Sequence, residues 1–190
     1  ELIGRKAGER AVARLSARRV ATQRAPVLFA PEVARGLFGH LVSAIRGSSQ
    51  YRKASFLLGA AGQRVLPAWL DIHERPHIPK ALGSSPFDGE GVATRDRELV
   101  RGGVLDGYVL GSYSARKLGL RTTGNAGGTH NLQVESRTEA LPLAQLLQRM
   151  QRGLLVTEMM GQGVNGVTGD YSRGAIGFWV AGGEIVHAVQ

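Results

Sequence analysis

The chain has 190 residues, enough for one domain of ordinary size, and 43% of them are hydrophobic, which excludes a disordered chain. It holds no cysteine, which excludes disulfides, thiolate metal sites and a cysteine nucleophile and fits a cytoplasmic protein; nor does any apolar run approach the roughly 20 residues of a bilayer span. The formal charge of +9 is uneven: residues 1–24 hold seven basic side chains against Glu1 and Glu9, and the rest of the chain holds 17 basic and 13 acidic groups.

Residues 7–22 read as a helix, with Ala7, Ala11 and Leu15 on one line and Arg10, Arg14 and Arg18 on a parallel one. Such a basic segment is compatible with binding nucleic acid or an acidic partner. A solvated helix face is the preferred reading, because no aromatic residue interleaves with the charges. The first residue is not Met, and no apolar signal core follows it. The expectation is that 1–24 leads in from a preceding domain, that 25–190 is a second domain, and that its C-terminus is cut short.

Residues 25–30 form a short apolar run that reads as a buried strand. Pro31 suits the first turn of a following helix. Residues 32–46 make the clearest helix: Val33, Leu37, Leu41 and Ile45 fall on one line, and Ala34, Phe38 and Val42 on the next. That wide apolar face predicts packing into a core. After Gly47, turn signals alternate with short β-rich runs at 64–70, 103–110, 132–134, 154–158, 175–180 and 184–189. Two further helices are predicted at 112–118 and 143–152, and Gly182 and Gly183 predict a hairpin turn. The fold class is therefore α+β and β-dominated, with antiparallel strands in a barrel-like or twisted sheet and a few packed helices.

Several patterns suggest chemistry and yield a plainer reading. Gly161, Gly163 and Gly166 spell the dinucleotide fingerprint, but Thr168, Gly169 and Asp170 are turn residues and no helix follows to receive a pyrophosphate. His73 and His77 have helical ligand spacing, yet Pro76 and Pro79 break any helix there; convergence on an ion from an extended loop stays open. His40 reads as a hydrogen-bonded structural residue, and His130 and His187 are isolated. Asp88 and Glu90 read as turn residues beside Pro86 rather than a cation site. Residues 124–130 could cradle an anion through backbone N–H groups, but a flexible connection between strands is preferred.

Read whole, residues 160–180 resemble the C-terminal region of the TldD/PmbA peptidase family, in its PmbA (TldE) branch. Three further segments agree in order: Leu37-Phe-Gly-His-Leu-Val-Ser-Ala-Ile45 running on to Tyr51-Arg-Lys-Ala-Ser-Phe-Leu57, then Ser84-Ser-Pro-Phe-Asp-Gly-Glu-Gly91, and Tyr113-Ser-Ala-Arg-Lys-Leu-Gly119 with Thr122-Thr-Gly-Asn125. The resemblance implies a cytoplasmic TldD–PmbA zinc metalloprotease acting on peptides or unstructured proteins, with zinc in a TldD-like partner. In that partner branch the helix matching 32–46 carries His-Glu-x-x-x-His, whose histidines hold zinc. Here Pro31 and Gly36 stand at the histidine positions and Glu32 alone remains. The resemblance therefore implies no catalytic or metal residue in this chain. Gly124, Asn125, Gly127, Gly128, Gly161, Gly163, Asn165, Gly166 and Gly169 are the candidates for a substrate cleft or partner interface, because missing side chains let another backbone come close. Two alternatives stay open: nucleic-acid binding through 1–24, under the family's DNA-gyrase-modulator label, and a metalloprotease using His73 and His77.

Overall fold

In a computed structural model that describes residues 2–190, the chain divides into two units. The first comprises residues up to 38, 141–164 and 171–190; the second comprises 39–140 and 165–170.

The first unit is built on a four-stranded sheet in the order β1 (Val27–Phe29), β6 (Arg152–Met160), β7 (Gly174–Ala181), β8 (Glu184–Val189). β-Branched and aromatic residues fill the long β6–β7–β8 meander, as a pleated, half-buried surface favours. Gly182 and Gly183 both take positive φ between β7 and β8, the two-residue turn that suits the strand twist. Gly177 is required differently: a Cβ there would collide with the Leu155 carbonyl on the neighbouring strand. Helix α5 (Leu143–Met150) sends Leu147 into a core with Leu155 and Val180, flanked by Leu28, Met150 and Phe178.

The second unit holds an antiparallel sheet in the order β4 (Val104–Leu105), β3 (Arg97–Arg101), β2 (Leu70–Glu74), β5 (Leu132–Ser136). Burial alternates along β2, so Leu70, Ile72 and Glu74 share the inner face. Ile72, Leu99, Val100 and Leu105 are almost wholly buried, as is Ile45. Helices α3 (Gly47–Tyr51) and α4 (Ser112–Leu118) lie together on this unit.

Several expectations are corrected. Helix α1 spans Leu2–Ala13 rather than 7–22. Ser16 turns the chain with a positive φ, and Arg18 then pairs with Val189, its N–H donating to Ala188 at 2.9 Å. α1 has no buried residue. Helix α2 runs Pro31–Ala44, and only Leu41 and Ala44 are buried within it, with Val33, Leu37 and Phe38 half-buried. The strand at 64–70 is a single bridge from Arg64 to Val104, whereas the true strand starts at Leu70, beyond Pro67. The run at 103–110 is the end of a hairpin with β3 that turns at Gly102 and Gly103 and leaves the sheet after Leu105. Both sheets are open, so the barrel-like option is not the one adopted. β1 runs parallel to β6, because more than a hundred residues separate them and no hairpin constrains their direction.

Candidate functional site

The start of α2 carries the positions at which the resemblance places the His-Glu-x-x-x-His motif of the TldD branch. Pro31 has no polar side-chain atom and Gly36 no side chain, so neither can donate to a metal. The Glu32 carboxylate lies 3.2 Å from the Arg10 guanidinium, on the exposed surface. Its pKa is lowered first by its own backbone N–H and then by Arg10. These residues do not fit a zinc ion. Among the described residues, no cluster of three or more histidine, aspartate and glutamate side chains is arranged to hold a metal. A cleft of about 510 Å³ lies beside this turn, with Arg10, Arg14 and Glu32 around Leu155, Thr157 and Phe178. Arg14 is paired there with Glu158 at 2.7 Å.

His73 and His77 have separate partners. His73 sits in β2 with its ring nitrogens 3.8 Å from Glu98 and 3.5 Å from Glu135. The His77 ring bonds Thr94 Oγ1 at 3.0 Å.

The second unit carries the more developed site. A surface cleft of about 360 Å³ is bounded by Arg46, Tyr51, Glu90, Tyr113 and the segment Asn125–Gly128. Asn125, Gly127 and Gly128 from the candidate set therefore line one cleft, with Gly124 buried just behind them. None of the candidates from 161–169 lines it. Those residues form the β6–β7 connection instead. Gly161 takes φ +83° and Gly163 lies against the Ser172 carbonyl in the base of that loop. At its tip, Asn165 Oδ1 accepts from Val167 N, Gly169 N donates to Asn165 O, and Gly166 O accepts from Phe56 N. These glycines make turns, and the dinucleotide fingerprint falls on a hairpin loop with no helix after it.

The 124–130 segment is a clamped wall rather than a flexible connection. Glu74, only 1% exposed, occupies the position on β2 where the alternation calls for an apolar residue. Its Oε1 accepts from Asn125 Nδ2 and from His130 N, both at 2.7 Å. Its Oε2 accepts no hydrogen bond, but Arg97 Nε lies 3.4 Å away as the ion-pair partner. Burial lowers the Arg97 pKa, and Glu74 opposes that shift. Asn125 is used fully: Nδ2 also donates to Gly128 O, and Oδ1 accepts from Thr123 Oγ1 at 2.7 Å.

A second buried carboxylate holds the same segment. Asp88 accepts from Glu90 N, Val92 N and Ala126 N at 2.8–3.0 Å. Burial pushes its pKa up, but these three backbone donors together hold it below the usual carboxylate range. Its role as a turn residue stands as read from the sequence, and its grip on Ala126 is new. Glu90 lines the cleft and accepts from Ser112 N at 2.7 Å; the Ser112 side chain first, and then this N–H, lower its pKa. Sequence reading missed Arg46, Glu74 and Arg97. The apolar face of β2 ending in a carboxylate was the available signal for Glu74; nothing local marked Arg46.

Comparison with known proteins identifies the family to which this fold belongs. Residues 22–190 match the model of the PmbA/TldA metallopeptidase C-terminal domain, and the chain belongs to that family. The similarity falls on the PmbA side. The chain is 54% identical over its full length to Metalloprotease PmbA of Escherichia coli O157:H7, covering 42% of that protein. It is 51% identical over 98% of its length to the PmbA homolog of Haemophilus influenzae, covering 41% of it. The TldD homolog of the same organism matches only 43% of the chain, at 31% identity. A crystal structure from Bacteroides thetaiotaomicron, of a candidate modulator of DNA gyrase, superposes with a TM-score of 0.91 at 33% identity, over 98% of this chain and 42% of that one. TldE from Thermococcus kodakarensis shares the fold, with a TM-score of 0.79 at 23% identity over 97% of this chain and 44% of its own. The chain thus spans less than half the length of these relatives.

Proposed function

We propose that the chain is part of a non-catalytic, PmbA/TldE-type subunit that works beside a zinc-bearing TldD-like subunit. The pair would form a cytoplasmic metalloprotease acting on peptides or unstructured proteins, including the maturation of modified peptides. The observation that carries this reading is the first turn of α2, where Pro31 and Gly36 offer no ligand and Arg10 holds Glu32. Without a metal there is no bound water of lowered pKa for a glutamate to activate. The similarity to PmbA over the whole chain supports the same assignment. The clamped cleft of the second unit and the exposed edge strand β5 supply the means by which a non-catalytic subunit handles an extended chain. The basic N-terminal segment favours no nucleic-acid role, because Arg10 and Arg14 are engaged with Glu32 and Glu158.

The test is reconstitution. The full-length protein and its TldD-like partner are purified separately, and zinc content and peptidase activity are measured for each and for the mixture. The expected result is no zinc and no cleavage by the PmbA-type protein alone, and strong activity of the pair. Cleavage by the isolated protein in the presence of a chelator would show that a catalytic site exists elsewhere in it.

A further inference from the structure

The cleft of the second unit has a charge arrangement that the subunit reading does not use. Arg46 lies in its lining, at the junction of α2 and α3, and is solvent-exposed. Among the described residues, its guanidinium makes no ion pair and no hydrogen bond. The partly buried Arg97, by contrast, is matched by Glu74 and the Tyr108 carbonyl. Arg46 is nonetheless positioned, for its side chain lies against Gly128, where a Cβ would come within 2.9 Å of Nη2. Gly128 is a floor for the guanidinium that a larger residue would close.

The other walls select among ligands for that cation. Tyr51 and Tyr113 meet edge to face, with ring centroids 5.7 Å apart, and Arg52 and Lys117 lie over these two rings. An aromatic wall in the same cleft as an open glycine segment suits a polypeptide main chain with small demand on its sequence. The Glu90 carboxylate is in the same lining, its pKa lowered by the Ser112 side chain and then by Ser112 N. A fixed negative charge disfavours polyanions such as nucleic acid, while one carboxylate fits the planar fork of an arginine. The volume, about 360 Å³, is at the small end for ligand clefts and matches a few residues of chain.

We propose that this cleft binds an extended peptide through one carboxylate, with Arg46 as its receptor and the Tyr51–Tyr113 pair as a wall beside the chain. The carboxylate comes from the peptide's C-terminus or from an acidic side chain. The proposal rests on the peptide-handling reading above, but its test measures binding and needs no partner or cleavage, so the two can fail separately.

The experiment uses fluorescence anisotropy on the full-length protein. The probes are an unstructured, labelled hexapeptide without Asp or Glu bearing a free C-terminus, the same peptide amidated, and the amidated peptide with one internal Glu. Inorganic phosphate serves as competitor. The free acid, or the internal Glu peptide, should bind about tenfold more tightly than the plain amide, the low end for a charge-assisted hydrogen bond. Which of the two gains affinity identifies the source of the carboxylate. Arg46→Gln should bring the acid down to the amide's affinity without changing the amide, and Arg46→Lys should recover part of the difference. Arg121→Gln, at an exposed arginine outside the cleft, controls for net charge. Equal binding of all three peptides by wild type overturns the proposal, as does absence of binding at millimolar peptide. Competition by phosphate at concentrations similar to the peptide's also overturns it, since the site would then be a simple anion site.

Discussion

Replacing Glu74 by Gln tests whether the clamp behind the cleft is electrostatic. The glutamine keeps an acceptor for Asn125 Nδ2 and His130 N, so the loss falls on the charge facing Arg97. Glu74 is 1% and Arg97 12% exposed at the side chain, so an uncompensated guanidinium would remain in a nearly dry site. Breaking such a pair from one side costs about 3–5 kcal/mol. At the few degrees per kcal/mol usual for a domain of this size, the midpoint should fall by about 10 °C. The two tryptophans lie one in each unit, Trp69 in the second and Trp179 in the first. In a Trp179→Phe background, Trp69 fluorescence therefore reports the second unit alone and avoids treating two units as one transition. Arg97→Met combined with Glu74→Gln should cost less than the two changes added together, by about 2 kcal/mol, because the second change removes the charge stranded by the first. A Glu74→Gln midpoint within a degree of wild type, or strict additivity in the cycle, refutes the argument.

Other expectations follow from the same geometry. Asp71 is held at a pKa of about 2, against an ordinary 3.8, chiefly by Arg137 and then by Gly102 N. Its contribution is complete above pH 3.8 and is lost as pH falls through about 2, so the gap in melting temperature between wild type and Asp71→Asn should close over that window. Asp88→Ala removes the acceptor for three backbone donors, and amide exchange at Ala126 should speed up by about tenfold or more. Leu41→Asp and Ile45→Asp each bury a lone carboxylate, at sites 9% and 0% exposed, and should destabilise by about 4 kcal/mol or more, Ile45→Asp the more. Wild-type melting of either variant would show that the end of α2 is not buried.

What the sequence made legible were elements whose signal is local. β8 and α4 fall where their patterns put them, at Glu184–Val189 and Ser112–Leu118, and the glycine pair at 182–183 makes the expected turn. The failures have a common physical cause in long-range pairing. Arg18 extends along β8 rather than completing a helix turn, and β1 finds a parallel partner more than a hundred residues away. β3 went unread because Arg97, Glu98 and Arg101 surround only two apolar residues, Leu99 and Val100. The glycine candidates divided for a similar reason. A glycine at 127 or 128 and one at 166 or 169 are indistinguishable in sequence. The difference lies in Glu74, Arg97 and Asp88, which reach Asn125 and Ala126 of the first segment from positions 28–51 residues away and have no counterpart at the second.

The surviving glutamate of the zinc motif is the residue on which the subunit reading is most exposed. Its presence invites a catalytic role, yet it has a sufficient structural one. Glu32 sits in the first turn of α2, where the unpaired N–H groups and the helix dipole favour a negative charge. Its own N–H and Arg10 both stabilise the ionised form. A group held ionised this way, with no metal-bound water beside it, is a poor proton shuttle, since its pKa has moved away from neutrality rather than toward it. Glu32→Gln should therefore leave the activity of the reconstituted pair within about twofold of wild type, a change too small to count as loss of a catalytic base. The pH-dependent part of the pairing with Arg10, which wild type loses as pH falls through the lowered pKa of Glu32, should be absent from the variant, because glutamine has no charge to titrate. The matching substitution in the TldD-like partner, whose glutamate stands between two histidines, should abolish cleavage. A collapse of activity on Glu32→Gln, with folding and pairing intact, would place catalytic chemistry in this subunit after all.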